Sequence, residues 1–234
     1  MANNSGNDLR INGVGSSGGG TFDLVQINGK GDINGDLECR ELQINGLAHL
    51  DGNVKADTIK VSGKSDFRGN VSGKHFVIDG MTEIGGGVSV ETVENRGMLR
   101  VVKDCGSEAF TSQGGFTVGG LLNAGKIDIM LYAGCKAKEI GGEKIEIRAG
   151  HGLDLGLGIR KFIGSLFPGL PINPVLITDT IEGDNIYLEN TTAKVVRGGN
   201  VKIGPGCQIE AVEYKSTFQK DGASGIRVNE TRKM

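Results

Sequence analysis

The sequence has no tryptophan, only four prolines, and eight phenylalanines and three tyrosines among 234 residues. With aromatic side chains at 5%, any core must be built mainly from aliphatic residues. No stretch approaches the roughly 20 consecutive apolar residues of a membrane-spanning helix. The N-terminal segment MANNSGNDLR also lacks the apolar run of a secretory signal. We therefore expect a protein of the cytoplasm, either free or peripheral at the inner face of the cell membrane.

Charge of one sign and metal-binding spacings are missing as well. The 26 basic and 28 acidic residues give a net charge of -2, which provides no global attraction to nucleic acid. The four cysteines form no C-x-x-C pair and have no histidines at zinc-ligand spacing. The sequence therefore predicts reduced thiols, no cofactor, no metal and no nucleic-acid partner.

Glycine, in contrast, is abundant, with 41 residues against the roughly 7% of an average protein. Gly29, Gly46 and Gly63 each end an I-N-G or V-S-G fragment and lie 17 residues apart. When the chain is aligned on this period, apolar residues fall into columns. One column is Val25, Leu42, Ile59, Phe76, Val93, Phe110 and Ile127; a second is Ile27, Ile44, Val61 and Ile78, then the polar exceptions Asn95 and Ser112, then Ile129; a third is Ile33, Leu50, Phe67, Ile84, Val101, Val118 and Cys135.

Within each period the apolar residues occur as i, i+2 pairs, which indicate strands because alternate side chains of a strand share a face. Two such pairs and one isolated apolar position predict three sides per period. A glycine after Asn, Ser or Asp suits a turn that needs a positive φ angle. A repeat of this kind is typical of a solenoid, in which each unit buries its apolar edge against its neighbours. We predict an all-β fold, a single-stranded β-helix of about 11 coils.

The repeat also predicts the domain boundaries. The β-helix spans residues 9–214, between disordered tails at residues 1–8 and 215–234, which have few apolar positions. Ile127 and Ile129 return 18 residues later as Ile145 and Ile147, and Ile186 leads to Ile203. Ile140 returns 41 residues later as Ile181, so one coil carries an insertion of about 24 residues, at 151–174.

The insertion is the most apolar stretch of the chain, and residues 159–167 are predicted to form a short amphipathic helix with a cationic edge. One interpretation is a patch for a membrane interface or a protein partner. The alternative, which we favour, is that the insertion folds back and covers the side of the solenoid. The residues of the patch are Ile159, Arg160, Lys161, Phe162, Ile163, Leu166 and Phe167.

No constellation predicts catalysis. Residues 120–127 match a phosphate-binding loop except that Ile127 replaces the Ser or Thr that would bind magnesium. The histidines, His49, His75 and His151, are interpreted as surface residues, and His49 interrupts an exposed column of Asp32, Asp66 and Glu83 that could otherwise bind calcium weakly. Cys39, Cys105 and Cys135 fall at inward positions, where a thiol behaves as a small apolar group. Cys207 has no place in the columns.

The I-[N/S/D]-G glycines from Gly29 to Gly80, each followed by G-[D/N]-[L/V], resemble the pattern of the bactofilins, which are bacterial cytoskeletal proteins with a right-handed β-helix core. The resemblance implies a non-enzymatic protein that polymerises without nucleotide, by end-to-end stacking into non-polar filaments. It also implies partners in cell-shape, envelope or appendage assembly. The end coils would then be the interfaces, and the interface residues are Leu9, Ile11, Val201, Ile203 and Ile209.

Two other interpretations remain open from the sequence. A β-helix enzyme, either an acyltransferase or a carbohydrate-active protein, would carry regular hexapeptides, clustered acids or stacked aromatic residues. A rod that binds partners without polymerising would use the 151–174 insertion for docking.

Overall fold

In the computed structural model, residues 7–150, 171, 173–222 and 225–234 are described. These residues form strands and turns, with no helix among them. The strands are β1 (Leu9–Ile11), β2 (Val14–Ser17), β3 (Gly20–Ile27), β4 (Lys30–Ile33), β5 (Leu37–Ile44), β6 (Leu47–Leu50), β7 (Val54–Val61), β8 (Lys64–Phe67), β9 (Val71–Ile78), β10 (Met81–Ile84), β11 (Val88–Asn95), β12 (Met98–Val101), β13 (Cys105–Ser112), β14 (Gly115–Leu131), β15 (Cys135–Ala149), β16 (Leu176–Leu188), β17 (Thr191–Ile203), β18 (Gln208–Lys220) and β19 (Arg227–Lys233).

Every strand pairs in parallel with the strand one coil further along the chain, so the protein is a β-solenoid, as the repeat predicted. The register follows the 17-residue period from Val25 to Ile127. The first predicted column extends in both directions to twelve members, which makes about twelve coils rather than eleven. They are Leu9, Val25, Leu42, Ile59, Phe76, Val93, Phe110, Ile127, Ile145, Ile186, Val201 and Phe218.

Each coil has three faces, which the third coil illustrates. On the first face Leu37 and Cys39 point inward, and on the second face Leu42 and Ile44 do so. The third face is formed by β6, where Leu50 is fully buried. The faces therefore follow the predicted i, i+2 pairs.

The third face has a second inward position that the sequence columns did not show. Its residues in successive coils are Gly31, Ala48, Ser65 and Thr82, and none of them is exposed. The hydroxyls of Ser65 and Thr82 satisfy each other at 3.1 Å. Because this position admits small residues of either polarity, it carries no hydrophobic signal in the sequence.

The interior contains one polar layer, at the exceptions Asn95 and Ser112. Both side chains are about 1% exposed, and Asn95 Nδ2 donates to Ser112 Oγ at 3.0 Å and to the carbonyl of Gly115 at 3.1 Å. Ser112 Oγ in turn donates to the carbonyl of Gly114 at 3.1 Å. Asn95 Oδ1 has no hydrogen-bond partner, so the layer is not fully satisfied. Above and below it the columns are aliphatic or aromatic.

The turn glycines are required by close approach between coils, not by a positive φ angle as the sequence suggested. None of the glycines of this column has positive φ. Instead, a Cβ atom on Gly46 would lie 2.0 Å from the carbonyl oxygen of Gly29, and one on Gly63 would lie 1.9 Å from that of Gly46. The same contact recurs at Gly80, Gly97 and Gly114. A side chain is excluded because the next coil's peptide group occupies its space.

Two predicted register positions are wrong in the C-terminal half. Cys135 pairs with Phe116, and Val118 pairs with Ala137, because the register shifts between Val118 and Leu121. Ile186 pairs with Val201, not with Ile203, because that coil has 15 residues instead of 17. Both errors arise where turns shorten or lengthen, which changes the period without changing which residues face inward. The predicted 41-residue step from Ile140 to Ile181 is confirmed.

The predicted C-terminal boundary is also wrong. Residues 215–220 belong to β18, and residues 227–233 form β19, which pairs with β18 in the register of the solenoid. This segment is polar because little of the chain lies beyond it, so its inward positions are only partly enclosed. Polarity in this case reflects the end of the stack rather than the absence of structure. Residues 1–6, most of the predicted N-terminal tail, lie outside the described residues.

All four cysteines are free and buried in the core. Burial raises the pKa of the Cys39, Cys105 and Cys135 thiols to about 12 and that of Cys207 to about 11, because a thiolate is poorly solvated in the interior. Cys207, which the sequence left unplaced, has its Sγ 3.3 Å from the carbonyl of Leu188. The cysteines are core residues.

We expect Gly46→Ala to lower the free energy of unfolding by about 2 kcal/mol or more, because the methyl group overlaps the Gly29 carbonyl. Gly13→Ala is the matched control, since Gly13 begins the same column and a Cβ there meets nothing within 4 Å. Urea denaturation of both variants and the wild type measures the difference. Equal destabilisation of the two variants would show that close stacking does not select glycine.

The thiols are expected to react with an aromatic disulfide reagent at pH 8 only after unfolding. A pKa near 12 leaves roughly a thousandfold less thiolate than an ordinary cysteine has at this pH, in addition to the steric block. Absorbance of the released thiol, with and without denaturant, counts reacted cysteines. Rapid labelling of the native protein would contradict the burial of these side chains.

Candidate functional site at the ends of the solenoid

The N-terminal end of the solenoid presents an open edge of three strand segments, one on each face. β1 pairs with β3, β2 pairs with β4, and residues 20–22 of β3 pair with β5, in each case on one side. The other side of the edge has no partner strand among residues 7–150. Backbone N–H and C=O groups on such an edge are available to another strand.

Apolar side chains surround this open edge. Val14 is 85% exposed, the most exposed of the large apolar residues described, and Leu9 and Phe22 are half-buried against the core. Leu9 and Ile11 do lie in the first coil, where the sequence placed them, although Ile11 is only 7% exposed. The N-terminal end therefore combines an unpaired strand edge with uncovered apolar surface.

Polar side chains at this end are paired within the chain. Arg10 lies 3.1 Å from Asp8 and donates to Gln26 at 3.0 Å. A ladder of asparagines follows one corner of the solenoid, in which Asn45 donates to Asn28 at 2.9 Å and Asn28 donates to Asn12 at 2.7 Å. Asn12 is the last member of this ladder, so the ladder reaches the open edge.

At the C-terminal end, the predicted interface residues are buried, so their assignment to the last coil is wrong. Val201, Ile203 and Ile209 are at most 2% exposed. β18 pairs with Val201 and Ile203, and β19 pairs with Ile209. The sequence missed this because it assigned the polar residues after 214 to a disordered tail.

The actual C-terminal layer is partly polar. Phe218 continues the column of Val201, and its ring is stacked on Tyr214 with a centroid distance of 5.6 Å. Lys220 occupies the column of Ile203, and its Nζ lies 5.8 Å from the centroid of the Phe218 ring. The two ends of the solenoid thus differ in chemistry.

Charged residues on the lateral faces largely neutralise each other between coils. Arg40 contacts Asp23 at 2.6 Å, and Arg96 contacts Asp79 at 2.6 Å. The hydrogen bond from each arginine lowers the pKa of the aspartate carboxyl it contacts. Since these pairs are exposed, each contributes little to stability. Their effect is to leave the sides of the rod without a strong charge of one sign.

The lateral faces carry no arrangement typical of catalysis among the described residues. His49 lies in the predicted polar column, with Nδ1 3.3 Å from Asp66, and Nδ1 of His75 lies 2.9 Å from the Thr92 hydroxyl. No group of three or more His, Cys, Asp or Glu residues in the described ranges could hold a metal ion. His151 lies outside those ranges.

The motif at residues 120–127 lies within β14, so the helix N-terminus that a phosphate-binding loop requires does not follow it. A groove of about 480 Å³ runs across the turns between the first and second faces in the C-terminal half. Its floor is backbone, including Gly142, Gly183 and Gly198, and its Arg197 is held by Glu213 at 2.7 Å. The groove is a consequence of the turn glycines and of paired charges.

The predicted apolar patch of the insertion, Ile159, Arg160, Lys161, Phe162, Ile163, Leu166 and Phe167, lies outside the described residues. In the part of the chain that the structure describes, no helix is long and apolar enough to cross a membrane. The two ends of the solenoid are therefore the candidate functional site that geometry supports.

Two proteins of Bacillus subtilis (strain 168), both uncharacterised, are similar to this chain. It is 44% identical to YhbE over 239 aligned residues, which cover 94% of this chain and 96% of YhbE. It is 40% identical to YhbF over 109 residues, which cover 46% of this chain and 40% of YhbF. No family model and no solved structure matches the chain. Since the similarity to YhbE extends over nearly the full length of both proteins, the chain belongs to the YhbE family.

Proposed function

We propose that this protein is a non-enzymatic scaffold that self-assembles end to end, without nucleotide, and positions partners in cell-shape, envelope or appendage assembly. The observation that carries the proposal is the open first coil. Its strand edge is unpaired among the described residues, and Leu9, Val14 and Phe22 leave apolar surface at this edge in contact with water. The resemblance of the repeat to bactofilins supports the same function.

The physical argument concerns the edge of a parallel stack. In the interior, each coil satisfies its backbone groups and covers its side chains on two neighbours, whereas the first coil has one neighbour. A second copy can satisfy the edge because it presents the same strands at the same spacing. Two copies related by a two-fold axis would bring identical edges together with antiparallel strands.

The chemistry of the first coil suits such a contact. The charges beside the edge, Asp8 and Arg10, already pair within one chain, so two copies do not repel each other. The asparagine ladder ends at Asn12, and the amide of a second copy could extend it. Apolar contact through Val14 and Phe22 would supply the nonspecific part of the affinity.

An enzymatic function has no comparable support. The regular hexapeptides of an acyltransferase are absent from the sequence, and the exposed carboxylates in the described ranges are mostly paired with lysine or arginine of the neighbouring coil. A rod that docks partners through the 151–174 insertion rests on residues outside the described ranges.

The double variant Leu9→Asp/Val14→Asp is expected to abolish assembly, because it places unpaired carboxylates in the contact. A single rod of about twelve coils is roughly 55 Å long at ~4.8 Å per coil. Negative-stain electron microscopy and sedimentation velocity, without nucleotide or metal, should show longer species for the wild type and single rods for the variant. We expect a loss of affinity of at least about tenfold.

Leu47→Asp is the matched control for this variant. Leu47 lies in the column of Val14 two coils further on and is 42% exposed, but it is remote from the edge. Assembly of this control should equal that of the wild type. Wild-type protein that remains as single rods at all concentrations and salt conditions would contradict the proposed function.

A further inference from the structure

We propose that β19, together with Lys220, is a cap that stops growth at the C-terminal end of the solenoid, so that end-to-end assembly is confined to the N-terminal end. This inference rests on the proposed self-assembly and defines its regulation. It follows from the chemistry of the last coil, which differs from that of every interior coil and from that of the first.

The inward columns become polar in the last coil. The column of Leu188 and Ile203 ends in Lys220, and the column of Val196 and Val212 ends in Thr231. An assembling copy would have to bury an ammonium group in the position of an isoleucine. Burial of a charge without a partner is strongly unfavourable, so this layer resists being covered.

The edge strand itself is charged. Of the seven residues of β19, four are charged, and Val228 alone is half-buried while the rest are exposed. Arg227, Arg232 and Lys233 are positive and Glu230 is negative, which gives these side chains a net charge of +2. Charged residues, lysine in particular, are a means by which proteins prevent edge strands from pairing with other chains. The first coil, in contrast, has Arg10 as the one charged residue of β1 and β2.

Symmetry increases the effect. If two C-terminal ends met about a two-fold axis, each positive side chain of β19 would face the positive set of the other copy, because an isologous contact uses the same surface twice. The same operation would bring both copies of Lys220 into the interface. Two N-terminal ends carry no such imbalance, since Asp8 pairs with Arg10.

The cap covers the end in two parts. β19 pairs with residues 208–214 of β18 and so covers the third face and the first face. Residues 217–220 of β18, on the second face, lie beyond this pairing, and there Lys220 extends over the ring of Phe218. Together they place charge over all three faces. The wild-type assembly is therefore a pair joined at its N-terminal ends, and further growth requires the cap to be removed or neutralised.

The test uses the full chain with an uncharged cap strand, Arg227→Thr/Glu230→Thr/Arg232→Thr/Lys233→Thr. Threonine keeps a high preference for strands, so β19 is expected to remain paired with β18. A second variant, Lys220→Ile, restores the apolar column and leaves β19 unchanged. The control Lys64→Thr/Lys126→Thr produces the same net charge change of -2 on the lateral faces, where both lysines are exposed.

Sedimentation velocity and electron microscopy measure the length of each protein. The proposal expects species longer than a pair for the uncharged-strand variant and a smaller shift in the same direction for Lys220→Ile, with the control like the wild type. Circular dichroism verifies that the strand content is retained. Variants of unchanged length, or wild-type protein that already forms filaments growing at both ends, would overturn it.

The two hypotheses fail in different ways. If the proposed self-assembly is wrong, the wild type is a single rod and the substitutions Leu9→Asp/Val14→Asp change nothing. The cap hypothesis depends on whether the uncharged-strand variant is longer than the wild type, whatever the length of the wild type. Growth of that variant alone would support the cap and reject assembly through the N-terminal end.

Discussion

The parallel stacking of coils at the spacing of hydrogen-bonded strands is the constraint on which the rest of the structure depends. The turns obey it as closely as the strands do, since the amides of Leu47 and Lys64 donate to the carbonyls of Gly29 and Gly46, each at 2.8 Å. A turn held at this distance has no space for a side chain directed at the previous coil. The abundance of glycine, the small residues of the third face and the aliphatic columns all follow from that distance.

The same constraint creates the ends, which are the unusual surfaces of a solenoid. Interior coils have two neighbours and therefore little unsatisfied backbone, while an end coil keeps one side open. The two ends of this protein meet that problem differently. The first coil is short, apolar and almost uncharged, and the last is polar and positively charged. This difference gives the rod a direction with respect to association, although its lateral faces are balanced in charge.

Most of the fold could be predicted from the sequence because the signal is repeated. A single Val25/Ile27 pair says little, but the same pair in register over many periods specifies strands, their inward sides and their neighbours in space. Errors occurred where repetition failed. The shift after Val118 and the 15-residue coil at Ile186 change the spacing, and a period cannot anticipate a turn of different length. Glycine conformation was misjudged because the relevant contact lies one coil away.

The sequence by itself determined the solenoid, its three faces, its aliphatic interior and the burial of the cysteines, because each of these depends on which residue types recur at a fixed spacing. The tertiary structure alone decided where the stack ends. Residues 215–220 and 227–233 look like a disordered tail when read for hydrophobicity, yet they pair as strands. Their backbone hydrogen bonds need no apolar side chains, and an end layer is half open to water. For that reason composition could not distinguish a polar terminal coil from an unfolded tail.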